Sequence, residues 1–151
     1  LRRRASEEAS RFRRDGRPFS IAFIDLDSFK RVNDSHGHLF GDEALKLVAE
    51  AIRESVRQSD VPSRYGGDEF VILLPGCGRD AAESVLERVR LSLISPLLVR
   101  GKPVSLSMSG GVACFPEDGR RSSELVSVAD QRMYLAKRER AYLGGGPGEG
   151  V

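Results

Sequence analysis

Four carboxylates in two short clusters are the residues of this chain best suited to chemistry. Asp25 and Asp27 close a strongly apolar run that begins at Phe19, and Asp68 and Glu69 stand just before another, Phe70 to Leu74. Any one of them alone reads as a solvated turn acid. If the two runs are neighbouring strands, however, the carboxylates converge. Converging hard oxygens suit Mg²⁺, which takes one or two carboxylates and leaves room for waters and substrate phosphates. Gly66-Gly67 directly precedes the second pair. Two glycines permit positive φ in a tight turn and leave no Cβ where a phosphate or ribose would lie against the backbone. His36 and His38 offer a competing metal reading, but without a further His or a nearby Cys a polar turn accounts for them better.

The elements that must hold these acids follow from periodicity. Leu1 to Asp15 mixes arginines and glutamates and predicts an exposed lead-in helix, broken by Gly16-Arg17-Pro18, with arginines that only solvate it. Phe19 to Leu26 is apolar enough for a strand covered on both faces. A short helical piece with Phe29 and Val32 inward ends near Ser35 to His38. Leu45, Val48, Ile52 and Val56 predict a helix from Asp42 to about Gln58, with Asp42 and Glu43 at its positive N-terminal end. Pro62 to Tyr65 and Phe70 to Leu74 predict a hairpin tipped by the glycines and acids. Ala82, Val85, Leu86, Val89 and Leu93 mark another helix, closed by Ser95-Pro96. Val104 to Ala113 predicts a strand in which Gly110 and Gly111 admit another backbone. Leu125, Ala129, Met133 and Ala136 share one face of a last helix, and Gly144 to Val151 reads as a disordered glycine-rich tail. This order favours an α+β fold, a central mixed or antiparallel sheet flanked by helices, over a doubly wound parallel one.

A chain of 151 residues with 40% apolar side chains can bury one core. Its net charge of +2 gives no basic footprint for a nucleic-acid polymer. No stretch approaches the roughly 20 apolar residues of a membrane span, so no direct membrane contact is expected from this segment. Cys77 and Cys114 are too few for a disulfide scaffold and read as reduced thiols of a cytoplasmic protein, or of the cytoplasmic part of a larger membrane-associated one.

Arg64-Tyr65-Gly66-Gly67-Asp68-Glu69-Phe70 resembles the signature of the GGDEF diguanylate cyclases. Asp25 to Lys30, Asn33-Asp34 and Gly37-His38-Leu39-Phe40-Gly41-Asp42 resemble that family's upstream block, as Ala129-Asp130, Tyr134 and Ala136-Lys137 resemble its last motif. The resemblance implies a palm-like domain similar to class III nucleotide cyclases, within the ferredoxin-like group. It further implies condensation of two GTP into cyclic di-GMP, with release of two pyrophosphates, across a homodimer of half-sites. Mg²⁺, with Mn²⁺ as a substitute, would sit on Asp25, the Leu26 carbonyl, Asp68 and Glu69. Asp68 would accept the proton of the attacking 3′-hydroxyl. Asn33 and Asp42 would read guanine, the amide donating to O6 and the carboxylate accepting from N1–H and the exocyclic amine. Lys30 and Lys137 would contact phosphates, with Phe29, Gly66 and Gly67 lining the substrate. Arg57-Gln58-Ser59-Asp60 resembles the family's inhibitory RxxD motif, for which Arg88 is a third ligand to bound cyclic di-GMP.

Two departures qualify the resemblance. The family's Leu-Thr-Gly-Leu-x-Asn-Arg opening does not appear, and an N-terminal sensory or receiver module is expected upstream. At the other end Ala141 stands where the family has a phosphate-binding arginine. Arg140 is one residue away, a turn of about 100° on a helix. The expected organisation is a lead-in helix over 1–17, a catalytic domain over 18–142 and a flexible tail over 143–151. The competing reading is a catalytically weak module that binds GTP or cyclic di-GMP and signals through a partner.

Overall fold

The computed structural model describes residues 1–144. Its elements run α1 (Arg2–Asp15), β1 (Phe19–Asp27), α2 (Phe29–His36), α3 (His38–Ser55), β2 (Val61–Arg64), β3 (Glu69–Pro75), α4 (Arg79–Ser92), β4 (Leu97–Val99), β5 (Lys102–Val104), β6 (Ser107–Phe115) and α5 (Ser122–Gly144). The main sheet has the order β2-β3-β1-β6, and each neighbouring pair is antiparallel. This is the α+β arrangement expected from the sequence, with β1 in the interior of the sheet as its apolar run requires.

Because side chains alternate along a strand, the sheet sorts its residues into two cores. Ala22, Ile24 and Leu26 of β1 join Phe70, Ile72 and Leu74 of β3 on the face covered by α2, α3 and α4. Ile21 and Phe23 join Val71 and Leu73 on the face covered by α1 and α5. Asp25 and Asp27 continue the second series, so the first acidic pair projects towards α5. Glu69 does the same from β3, where it pairs with Asp25 in register.

The last helix comes very close to the sheet. A Cβ on Gly111 would stand 2.3 Å from the Ala129 carbonyl oxygen and 2.4 Å from the Met133 nitrogen. The close approach expected at this glycine is therefore to the backbone of α5, along the buried stripe of Leu125, Ala129 and Met133. One helical step of four further on, that stripe ends at Lys137. An ion-pair cluster fastens the same helix near its middle. Asp118 accepts from both terminal nitrogens of Arg132 at 2.8 and 2.9 Å, from Arg79 at 2.9 Å and from the Cys114 backbone N–H at 2.8 Å. The Arg132 hydrogen bonds, opposed by burial, hold its carboxyl at about 2.

Several boundaries differ from expectation. The helix predicted from Asp42 begins at His38, directly after Gly37 at φ 86°, and ends at Ser55. Asp42 is therefore inside the helix, and the N-terminal placement expected for Asp42 and Glu43 is corrected. The strand predicted from Val104 begins at Ser107. The residues before it form a separate hairpin, β4 to β5, whose Arg100-Gly101 turn has positive φ at both positions, the arrangement that joins two-residue hairpins. Helix α5 continues through Gly144. The remainder of the expected tail, from residue 145, lies outside the described residues. Among those residues no helix is long and apolar enough to cross a membrane.

Candidate active site

The two acidic clusters meet at one end of the two central strands. Asp25 and Glu69 are register partners across the β1–β3 ladder, and the Leu26 N–H donates to the Asp68 carbonyl at 3.2 Å. Strand β1 is thus sewn to the turn that carries Asp68. Asp25 has one side-chain partner, the Lys137 ammonium of α5, 2.8 Å from Oδ2. Among the described residues, its Oδ1 is buried without a hydrogen-bond partner. Asp27 differs in being satisfied already. It accepts from Ser107 at 3.0 Å and Ser109 at 2.8 Å, with Lys137 and Arg140 each 3.9 Å away. Asp25 is the acid of the pair left to serve a ligand.

Charge crowding is visible in the acids themselves. Burial, followed by the Asp25 charge, pushes the Asp68 carboxyl above the ordinary range. Burial raises Glu69 as well, helped by Asp25, Asp68 and Asp130. Burial works against the charge on Lys137, but its hydrogen bond to Asp25 and the nearby acids outweigh it and raise the lysine. Among the described residues no group of three or more His, Cys, Asp or Glu forms a metal cage by itself. An unpaired buried carboxylate oxygen beside two carboxyls short of counter-charge nevertheless fits a hard cation that keeps positions for substrate oxygens.

The turn itself is tied by its own residues. Tyr65 and Gly66 N–H groups reach the Glu69 carbonyl at 2.8 and 3.3 Å. Neither Gly66 nor Gly67 has positive φ. The positive φ that the two glycines permit is not used here, and a Cβ on Gly66 would lie 2.6 Å from Glu69 Oε2, the far end of that flexible side chain. Gly67 is open, with nothing within 4 Å of the position a Cβ would take. Arg64, whose individual role the sequence did not disclose, donates to the Gly66 and Gly67 carbonyls at 2.8 to 3.2 Å and clamps the loop.

Beside this turn, between α3 and the β2–β3 hairpin, a cavity of about 470 Å³ is lined by Asp42, Leu45, Lys46, Pro62, Arg64 and Phe70 among others. Asp42 therefore opens on a space whose lining mixes apolar side chains with Lys46, Arg53 and Arg64. Asn33, half-buried on α2, lies against Gly41 on α3. Lys30 is exposed, while Phe29 is only 5% exposed and packs in the core, its ring close to Gly41.

The RxxD residues form a separate centre. Asp60 is 2% exposed and accepts from the Arg57 backbone N–H at 2.8 Å and from its guanidinium at 2.7 Å. Arg57 also reaches the Pro75 carbonyl at 2.8 Å and Cys77 Sγ at 3.2 Å. Arg88 donates to the Ser55 carbonyl at 2.6 Å, at the end of α3. Arg57 and Ser59 share a cavity of about 790 Å³ with Arg11, Arg14 and Arg17. Arg11 and Arg14, read from sequence as solvating the first helix, thus line a common hollow that also holds Glu8 and Asp15. The i, i+3 spacing of Arg11 and Arg14 was the available signal, but the partner segment lies far along the chain.

A four-stranded antiparallel sheet, helices on both faces and carboxylates gathered at the end of its central strands define a palm-like domain of the nucleotide-cyclase type. The sequence matches the family described as "Diguanylate cyclase, GGDEF domain" over residues 1–142. It is 41% identical to the diguanylate cyclase DgcP of Pseudomonas aeruginosa over 140 residues, 91% of this chain and 21% of that protein. It is 40% identical to the diguanylate cyclase DosC of Escherichia coli K12 over 134 residues, 87% of this chain and 29% of that protein. The solved GGDEF domain of YfiN (TpbB) from Pseudomonas aeruginosa superposes with a TM-score of 0.87 at 34% identity, covering 91% of this chain and 87% of that one. The chain belongs to the GGDEF domain family. It spans less than a third of the length of either curated relative.

Proposed function

We propose that this domain is a diguanylate cyclase that condenses two GTP molecules into cyclic di-GMP and releases two pyrophosphates. The observation that carries the proposal is the register pairing of Asp25 with Glu69 beside Asp68, with one buried oxygen unpaired, next to a cavity that Asp42 enters. Asp25, Asp68, Glu69 and the Leu26 carbonyl hold Mg²⁺, for which Mn²⁺ can substitute. The ion, when bound, supplies positive charge to phosphate oxygens. The ribose 3′-oxygen of one GTP bonds to the α-phosphorus of the other, and the bond to the leaving pyrophosphate breaks. Asp68, raised by burial and by Asp25, accepts the 3′-hydroxyl proton directly or through water. Lys30 and Lys137 contact the phosphates, so Lys137 exchanges its Asp25 partner for substrate oxygens. Gly66 and Gly67 border the substrate, and Asn33 and Asp42 read guanine.

Each domain holds half of the reactants, so a homodimer is required, and rate rises with the dimer population. The domain acts in the cytoplasm downstream of an N-terminal sensory or receiver module. Arg57, Asp60 and Arg88 form the inhibitory site for cyclic di-GMP, and Arg57→Ala is expected to relieve product inhibition. Normal inhibition in that variant would remove this assignment. Purified protein at several concentrations, incubated with GTP and Mg²⁺ and followed by nucleotide separation, tests the main reading. Cyclic di-GMP should accumulate more than linearly with protein concentration. GTP bound but unconverted at the highest concentration would instead favour a catalytically weak module that binds the nucleotide and signals through a partner.

A further inference from the structure

Gly41 lies within α3 and has no positive φ, so backbone conformation does not require a glycine there. A glycine inside a helix costs about 1 kcal/mol relative to alanine. Its surroundings supply the reason for it. A Cβ at this position would stand 1.9 Å from Asn33 Oδ1, 3.0 Å from Asn33 Cγ and 3.3 Å from Phe29 Cζ. The Phe29 contact could relax by a few tenths of an ångström. The Asn33 contact is too close for that and would be relieved only by the amide, the end of a flexible side chain, turning away from its place on α3. The missing side chain is therefore filled by the oxygen branch of the Asn33 amide, whose other branch is the donor nitrogen.

We infer that Gly41 is a positioning residue for base recognition: its missing Cβ lets the Asn33 amide dock on α3 next to Asp42, so that donor and acceptor face one guanine. The inference rests on the assignment of Asn33 as a base reader given above. Gly41 touches neither base nor phosphate and acts only by fixing where Asn33 sits. A bulkier residue would displace one of the two polar groups that distinguish guanine from adenine and leave phosphate contacts intact.

The test is a double-mutant cycle read by binding rather than turnover. Affinities for α,β-methylene analogues of GTP and ATP, which cannot release pyrophosphate, are measured by calorimetry for the wild-type protein, Gly41→Ala, Asn33→Ala and the double variant. Gly41→Ala should weaken the guanine analogue by about tenfold, the scale of one lost base contact, and leave the adenine analogue within about twofold. Asn33→Ala should give the same loss, and the double variant no more than either single one. Full guanine affinity in Gly41→Ala, beside a loss in Asn33→Ala, would overturn the positioning role; so would additive losses. No loss in Asn33→Ala would instead overturn the base-reading assignment on which it rests. Thermal melts accompany the cycle. Should Gly41→Ala fail to fold, recovery in the double variant supports the same clash, and failure to recover overturns it.

Discussion

Helix α5 delivers two cations to two acids, with opposite results. Arg132 reaches Asp118, which takes two bonds from that guanidinium, one from Arg79 and one from a backbone N–H, and its carboxyl is held at about 2. Five residues on, Lys137 reaches Asp25, which keeps one buried oxygen unpaired and has two carboxyls beside it pushed upwards. The first acid fastens β6, α4 and α5 together and has no capacity left. The second is short of positive charge. On the proposed function, a domain that accepts a cation and phosphates cannot satisfy its acids in advance, and stability is given up at that end of the sheet.

The strongest way to break this contrast is Asp68→Asn. Turnover of GTP should fall by at least about a hundredfold, the range for loss of a positioned proton acceptor, with a further loss from the ligand set. Stability should move the other way. A carboxyl whose folded value is raised favours the protonated native state, so its effect on stability worsens as pH rises from the ordinary value of 3.8 through the raised one. At pH 7 without metal the neutral amide should therefore melt a few degrees higher than the wild type, and the two should converge near pH 4. A lower melting temperature at pH 7 would mean that Asp68 is as well satisfied as Asp118.

The matching experiment at the other acid is Asp118→Asn. Loss of charge-assisted hydrogen bonds to a half-buried arginine should cost about 2 kcal/mol, or roughly 4–8 °C in a domain of this size. Here the sign is that of a depressed carboxyl. Its contribution is complete above the ordinary value of 3.8 and disappears as pH falls through about 2. Denaturant titrations of the wild type and the variant should therefore differ by the full amount at pH 7 and approach each other below pH 3. Turnover per folded molecule should not change.

Much of the frame was legible in the sequence because its apolar runs are dense. Phe19 to Leu26 could be little but an inner strand, and Leu125, Ala129 and Met133 fix the buried face of α5. The β4–β5 hairpin was missed because each strand has three residues, too few for periodicity to register, and its signal was the Arg100-Gly101 turn. The start of α3 was missed because Leu39, 72% exposed, and Gly41 break the helical pattern just where the helix begins. In the site, the acids announced themselves by ending apolar runs. That Asp27 is occupied by Ser107 and Ser109 could not be read, since those serines come to it only through the β1–β6 register. Register is a property of the assembled sheet.

The finest distinction between the two regions is whether Lys137 is a strut, as Arg132 is, or a place-holder. In the metal-free protein Lys137→Met leaves Asp25 without its one side-chain partner. The pair is partly open to solvent, with side-chain exposures of 37% and 16%, so the cost should be only about 1 kcal/mol. A lysine raised by its neighbours contributes below its ordinary value of 10.5 and loses that contribution as pH rises through the raised one, so the difference should be the same at pH 7 and pH 9. Saturating Mg²⁺ separates the two roles. If the ammonium only holds the place of a cation, the ion stabilises Lys137→Met more than the wild type and the two melting temperatures converge. If the difference persists in Mg²⁺, Lys137 is structural, and the contrast between Asp25 and Asp118 is one of degree.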